Sequence, residues 1–552
     1  MTSYRALFLS PVLLLFGISL AAVMHEPITT VTTESPSKRM REQPNIIYIM
    51  ADDLTTQAIS AYGDIYKDIA PTPNMDRLAA EGMLFNDVLC TNAICGPSRA
   101  AILTGKYSHL NGYYKNENGG KFNVDQWTFP LAFQEAGYQT ALFGKWHLGT
   151  DPTGFDAYKF HANAGQQGTY WDPLYNENGE QVREKGYATN LTTDFAIDWM
   201  SEGRKENAPF LMLLQYKAPH RPWEPDGKYE KLWDDVEMPY PATFNDTYEG
   251  RELTAGDTEM TMEHLSRRDM KLERPEGLTG VDKIRWDFYG AKNDEIVQPE
   301  GMTAEEGRRW RYQRYIKDYL ACVKSVDDNI GRVLDYLDKH DLAENTIVVL
   351  TSDQGFYLGD HGFFDKRFIY EESLRMPFMV RYPKVVKAGS VNDDIITNVD
   401  FAPTLLDLAG IKTEEEMQGN SFAAMLYGKT PRKWRQSMYY HYYEFPFWHH
   451  VQPHYGIRTQ RYTLAHFYYN IDKWELYDNQ EDPDQLVNRI DDPAYQEIRQ
   501  KLEAELKDLM VEYGNNHSLE EFREISDKDF GSIVDKPENE ENVEDIINNK
   551  QK

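Results

Sequence analysis

Four stretches of the chain carry apolar residues with almost no polar interruption, over lengths suited to strands: 45–51 (Asn-Ile-Ile-Tyr-Ile-Met-Ala), 138–143, 210–216 and 346–351. Each stops at polar chemistry: Asp52-Asp53, Gly144-Lys145-Trp146-His147, Ala218-Pro219-His220 and Ser352-Asp353-Gln354. A strand that is apolar on both faces belongs in a sheet covered on both sides, the usual setting of parallel sheets. Residues 308–340 have a different period. Ile316, Tyr319, Leu320, Val323, Val326, Ile330, Val333, Leu334 and Leu337 recur at the three-four spacing of one helix face, and this helix leads straight into the 346–351 run. Strands interleaved with helices predict an α/β fold around a mostly parallel sheet. Functional groups in such sheets gather at the carboxyl ends of the strands, where all four polar segments fall.

Beyond residue 430 the pattern changes. Segments 437–445, 454–459, 462–469 and 473–477 read as short Tyr-rich strands without long helices between them, and 494–513 reads as an amphipathic helix. Together they predict a small antiparallel sheet with one helix packed on it. From about 518 Glu, Asp and Asn dominate, which reads as a solvated, partly mobile tail. Between the third and fourth apolar runs, 221–307 is charged and rich in Pro, Trp and Tyr but has little periodicity. A stretch of that length is functional or ordered by docking, and it is a candidate for a substrate rim. At the other end, Arg5 precedes an apolar run at 6–22 with small residues Ser19, Ala21 and Ala22 near its end, the pattern of a cleaved export signal. The run is short for a membrane span.

Composition narrows the picture. The chain has 552 residues, 41% of them hydrophobic, enough for a large core and more than one domain. A net charge of −30 disfavours a nucleic-acid partner and would repel any polyanion at long range, so a polyanionic substrate requires a local basic pocket. The three cysteines, Cys90, Cys95 and Cys322, are too few for a disulfide scaffold, and whether Cys90 and Cys322 pair is left open. Sequons stand at Asn190, Asn245 and Asn516.

The chemistry-bearing residues cluster in short motifs. In Cys95-Gly96-Pro97-Ser98-Arg99, Pro97 suits the first turn of a helix that Ala100 to Leu103 propagate. Cys95 then sits at the helix N-terminus, where free N–H groups and the dipole favour an anion, and Arg99 adds a positive charge one turn on. Asp52-Asp53 and Asp353-Gln354 offer hard oxygen ligands at two strand ends; such donors suit Ca²⁺ better than Zn²⁺, although an Asp pair after a strand also serves as a cap. Lys145 and His147 lie two residues apart, so that on an extended segment they face the same side. His220 has an ordinary pKa near working pH. Lys366 follows in Phe-Asp-Lys-Arg, and His361 lies nearby without an assigned role.

Taken in order, CGPSR (with Thr104-Gly105 beyond it), GKWHLG, APH and SDQG resemble the motifs of type I, formylglycine-dependent sulfatases. The resemblance extends from about Pro44 to Met510 and includes Pro73 to Ala79 and Trp474 to Asp484. It implies an alkaline-phosphatase-like α/β sandwich with a smaller C-terminal subdomain. The implied division is 1–22 signal peptide, 23–43 flexible lead-in, 44–430 catalytic domain, 431–515 C-terminal subdomain and 516–552 acidic tail, in an exported protein that is periplasmic or secreted and not membrane-spanning.

It further implies that a maturation enzyme converts Cys95 to Cα-formylglycine. One Ca²⁺ would be bound by Asp52, Asp53, residue 95, Asp353 and Gln354; many members carry Asn at the last position, and Gln354 is one methylene longer. Lys145 and Arg99 would hold sulfate, and Lys366 would contact both sulfate and the leaving oxygen. His220 would contact sulfate and protonate the departing alcohol. His147 would bond to the formylglycine hydrate and help remove its second proton, after the first hydroxyl has attacked sulfur. The implied partner is a sulfated oligo- or polysaccharide. The lean is to an algal polymer such as ulvan, carrageenan or fucan, with a glycosaminoglycan as the alternative. A phosphoryl hydrolase on the same scaffold and a non-catalytic sulfated-glycan binder are the other readings.

Overall fold

Asn45–Ala51 forms the strand its apolar run predicts, and every residue of it is buried. The computed structural model describes residues 43–116, 121–266, 269–271, 299–413, 416–446 and 449–529. The export signal, the lead-in to residue 42 and the chain from 530 lie outside the described residues. Across the main sheet the strand order is Ser390–Asn392, Met83–Leu89, Arg375–Arg381, Thr346–Ser352, Asn45–Ala51, Phe210–Tyr216, Gln139–Gly144, Ala157–His161, Leu174–Glu177 and Glu180–Arg183. The five strands from Thr346–Ser352 to Ala157–His161 run parallel. Antiparallel neighbours flank them on both sides.

The alternation along the central strand shows why it must be apolar throughout. Ile46, Tyr48 and Met50 face one hydrophobic layer, and Ile47, Ile49 and Ala51 face a second. The first layer includes Leu103, Phe133 and Phe401, from helices Cys95–Thr104, Phe129–Glu135 and Phe401–Ala409. The second includes Met75, Ala196 and Val326, from helices Pro73–Glu81, Ala188–Asp198 and Ala304–Lys339. The long helix expected at 308–340 begins four residues earlier, because Thr303 and Glu306 form a capping box that satisfies its first N–H groups.

Strands Ser437–Tyr442, His454–Thr459, Tyr462–Phe467 and Lys473–Asp478 make the expected antiparallel sheet, and helix Gln496–Glu512 packs Leu502 and Leu506 against it. The tail reading needs correction at 519–527 alone, since the chain from 530 lies outside the described residues. Ser518 and Glu521 form a second capping box, and helix Leu519–Asp527 buries Phe522 in the same cluster. Acidic composition concealed an amphipathic helix. Residues 221–271, in their described part, are held by docking rather than by secondary structure. Trp223 is buried, Arg251 pairs with Asp246 at 2.7 Å, and Thr254 donates to Glu475 of the small sheet. No helix among the described residues is long and apolar enough to cross a membrane.

Candidate active site

Register brings the predicted segments to one edge. Ala51 lies level with Tyr216 on one side and Ser352 on the other, and Gly144 lies level with Gln215. Four adjacent parallel strands therefore release Asp52-Asp53, Asp353-Gln354, Lys217 to His220 and Lys145 to His147 at the same carboxyl ends. Helix Cys95–Thr104 starts at this edge with Cys95 as its first residue. Asp53 (φ 64°) and His147 (φ 59°) hold left-handed backbone, which is uncommon outside glycine, though Asp and His adopt it more readily than most, and which clusters where a site fixes geometry.

The buried charges interlock. Asp52 accepts from Lys145 through Oδ2, and its Oδ1 lies 3.6 Å from Arg99 Nη2. Arg99 donates through Nε to Asp353 Oδ2 at 3.0 Å and through Nη1 to Gln215 Oε1 at 2.8 Å. Asp353 Oδ1 accepts the Asp53 backbone N–H at 3.1 Å. Asp53 Oδ1 accepts Lys366 Nζ at 2.6 Å and the Gln354 amide, and Cys95 Sγ stands 3.9 Å from it. His220 Nε2 stands 3.8 Å from Asp53 Oδ2. All ten residues singled out from the sequence thus converge on one pocket, His147 by its burial beside Lys145, Arg99 and Lys366.

Electrostatics differ sharply between neighbours. Burial pushes Asp52 up, but Lys145 and Arg99 outweigh it and hold the carboxyl well below the usual range. Asp53 is pushed up to about 7 by burial, against Lys366 and with Asp52 and Asp353 adding to the rise. Burial raises the Cys95 thiol despite Lys145 and Lys366, so the unmodified side chain is a poor nucleophile here. Burial, with Lys145 close by, lowers both His147 and His220.

Asp52, Asp53 and Cys95 offer ligand atoms within 4.8 Å of one another. Asp52 Oδ1, Asp53 Oδ2 and Gln354 Oε1 are buried acceptors without a hydrogen-bond partner. Unpaired buried oxygens are costly, and a hard divalent cation is the species that would satisfy them together. The residues present therefore fit a metal.

Some supporting residues escaped the sequence reading. Gln215 orients Arg99; the lone amide in the apolar run 210–216 was a visible signal. Asn398 donates to Ser98 Oγ at 2.9 Å and accepts from Thr91 Oγ1 at 2.9 Å, tying the Cys95 helix to the sheet edge. Asn116 accepts the Gly96 N–H at 3.0 Å, and Glu444 accepts the Asn116 N–H at 2.6 Å and Arg367 Nη1 at 2.7 Å. Local sequence gave no signal for these last three. Asp365 Oδ2 meets His449 Nε2 at 3.1 Å beside the Arg221–Asp269 pair, forming a polar wall next to Lys366. Cys90, Cys95 and Cys322 are all free and buried, so Cys90 and Cys322 do not pair.

A sequence profile described as Sulfatase matches residues 44–411, and one described as N-sulphoglucosamine sulphohydrolase, C-terminal, matches 359–512. The chain belongs to the sulfatase family. This sulfatase is 44% identical over 508 residues to an N-acetylglucosamine-6-O-sulfatase of Bacteroides thetaiotaomicron, covering 89% of this chain and 90% of the relative. It is 25% identical over 536 residues to an ulvan-active sulfatase of Formosa agariphila, covering 94% and 90%. A protein solved in complex with its substrate D-glucosamine-2-N,6-O-disulfate matches with a TM-score of 0.81 at 44% identity, covering 87% of this chain and 99% of that one. The fold is the alkaline-phosphatase-like sandwich expected, and the protein is a sulfuric ester hydrolase. On substrate, the comparisons favour the glycosaminoglycan alternative over the algal lean.

Proposed function

We propose that this sulfatase removes the 6-O-sulfate from an N-substituted glucosamine derived from a glycosaminoglycan. The observation that carries the substrate class is the 44% identity, across nearly the whole chain, to an N-acetylglucosamine-6-O-sulfatase. The ulvan-active relative is far more distant. The algal lean came from the family resemblance and not from particular residues of this chain.

Maturation of Cys95 to formylglycine, with Ca²⁺ on Asp52, Asp53, Asp353 and Gln354, would supply the nucleophilic oxygen and polarise the sulfate. The side chains do the rest. Arg99, Lys145 and Lys366 surround the place of the sulfate oxygens and offset their charge; such preorganised groups act strongly because the pocket excludes water. Their present carboxylate partners, Asp52, Asp53 and Asp353, keep the three cations fixed before substrate arrives. His220, on the open side with 12% of its side chain exposed, gives the leaving alcohol its proton. His147 takes a proton at residue 95. The protein works in an exported compartment.

The test is sulfate release from a panel of sulfated sugars. D-glucosamine 6-O-sulfate and its N-acetyl and N-sulfo forms are expected to turn over, and ulvan or carrageenan oligosaccharides are not. Turnover of the algal set alone would refute the substrate assignment.

A further inference from the structure

The residue given the proton-donor role sits on a loop, and a loop alone does not fix an imidazole within the tolerance that proton transfer requires. Two buried side chains that have no part in the proposed chemistry hold this loop. Tyr170, buried, donates its hydroxyl to His220 O at 2.6 Å. Lys217, also buried, donates Nζ to Arg221 O at 3.4 Å, and the same ammonium stands 5.2 Å from the Tyr170 ring centroid. That Arg221 carbonyl is also the partner of His220 Nδ1, at 2.8 Å. A carbonyl only accepts, so Nδ1 carries the hydrogen, and Nε2 is the nitrogen turned toward the pocket, 3.8 Å from Asp53 Oδ2. The loop is closed by the His220 N–H donating to Lys217 O at 3.0 Å.

We propose that Tyr170 and Lys217 are positioning residues for His220: they clamp the two consecutive carbonyls beside the ring, so that Nδ1–H stays on Arg221 O and Nε2 of the imidazolium is the atom that delivers the proton. The inference rests on His220 being the proton donor and adds that the donor's aim comes from outside the motifs. Tyr170 lies between strands at the sheet margin, and Lys217 directly follows the Phe210–Tyr216 strand. Burying a lysine is costly, and here its ammonium holds the Arg221 carbonyl.

The test is a double-mutant cycle on whichever sulfated monosaccharide the wild-type enzyme hydrolyses fastest. Loss of one aimed hydrogen bond in Tyr170→Phe is expected to lower kcat about threefold to tenfold with KM little changed. Lys217→Met is expected to act in the same direction, and thermal melting confirms that each variant is folded. In a His220→Asn background both substitutions are expected to have no further effect, because the group they aim is gone. An equal loss in both backgrounds, or an unchanged kcat in folded Tyr170→Phe, would overturn the positioning role. Full activity in His220→Asn alone would instead overturn the donor assignment on which the proposal rests.

Discussion

Asp53 and Asp400 are both acids buried to the same degree, and they live in opposite circumstances. Asp400 is closed. Its Oδ2 accepts Thr397 N at 2.7 Å, Thr397 Oγ1 at 2.9 Å and Arg435, and its Oδ1 accepts Arg435 Nη2 at 2.8 Å and Asn420 N at 2.7 Å. Asp53 is open. One oxygen faces Lys366 and the Gln354 amide, the other has no hydrogen-bond partner, and the group is pushed up to about 7 by burial. A buried charge with every lone pair occupied fixes a fold. One that is left incomplete, among other incomplete groups, marks where a ligand belongs. The two carboxylates differ in neighbours rather than in residue type.

The strongest way to break the contrast is at the open site itself. Cys95→Ala is expected to lower kcat by about 10⁴-fold or more while leaving the melting temperature nearly unchanged, since its thiol has no structural partner of consequence. Retained activity would dissolve the site. At the closed pair, Asp400→Asn is expected to cost about 3–5 kcal/mol in stability by leaving the Arg435 guanidinium buried and unpaired, without altering kcat of the folded fraction. Asp53→Asn should do the reverse, losing about a hundredfold in kcat at undiminished stability. Urea melts beside steady-state rates would separate the two patterns.

The smallest effect concerns pH. Glu371 is a second closed acid, held by Arg458 at 3.0 Å and Arg375 at 2.8 Å. Burial alone would raise it, but the two guanidiniums bring it down to about 2. A depressed carboxyl contributes stability that is present above its unfolded value of about 4.3 and is lost as pH falls toward the folded one. Melting temperature between pH 4.5 and 2 should therefore fall more steeply in the wild type than in Glu371→Gln. Parallel curves would show that this pair adds nothing.

The same contrast explains what was legible in the chain. The open site was readable because its residues follow apolar strands in short runs: Asp52-Asp53 after Ala51, His220 after Tyr216, Asp353-Gln354 after Ser352. Local periodicity also located the main sheet, the long helix and the small C-terminal sheet. The closed partners were not readable, because they are assembled from far apart. Asp400 meets Arg435 and Asn420, and Glu444 meets Asn116 and Arg367; no local pattern announces such pairs. Helix Leu519–Asp527 was missed because its charge suggested solvent, while its one buried apolar side chain, Phe522, and its capping box were small signals within an acidic stretch. Tyr170 and Lys217 fall in the same class: their relation to His220 exists only in three dimensions.

Residue 95, buried within the incomplete cluster, is held to become the nucleophile. Peptide mass spectrometry of the tryptic fragment carrying Cys95, from protein made in a host with the maturation enzyme, tests it most directly. The expected result is a mass loss matching replacement of the thiol by an aldehyde. An intact thiol in protein that nonetheless releases sulfate from its substrate would contradict it.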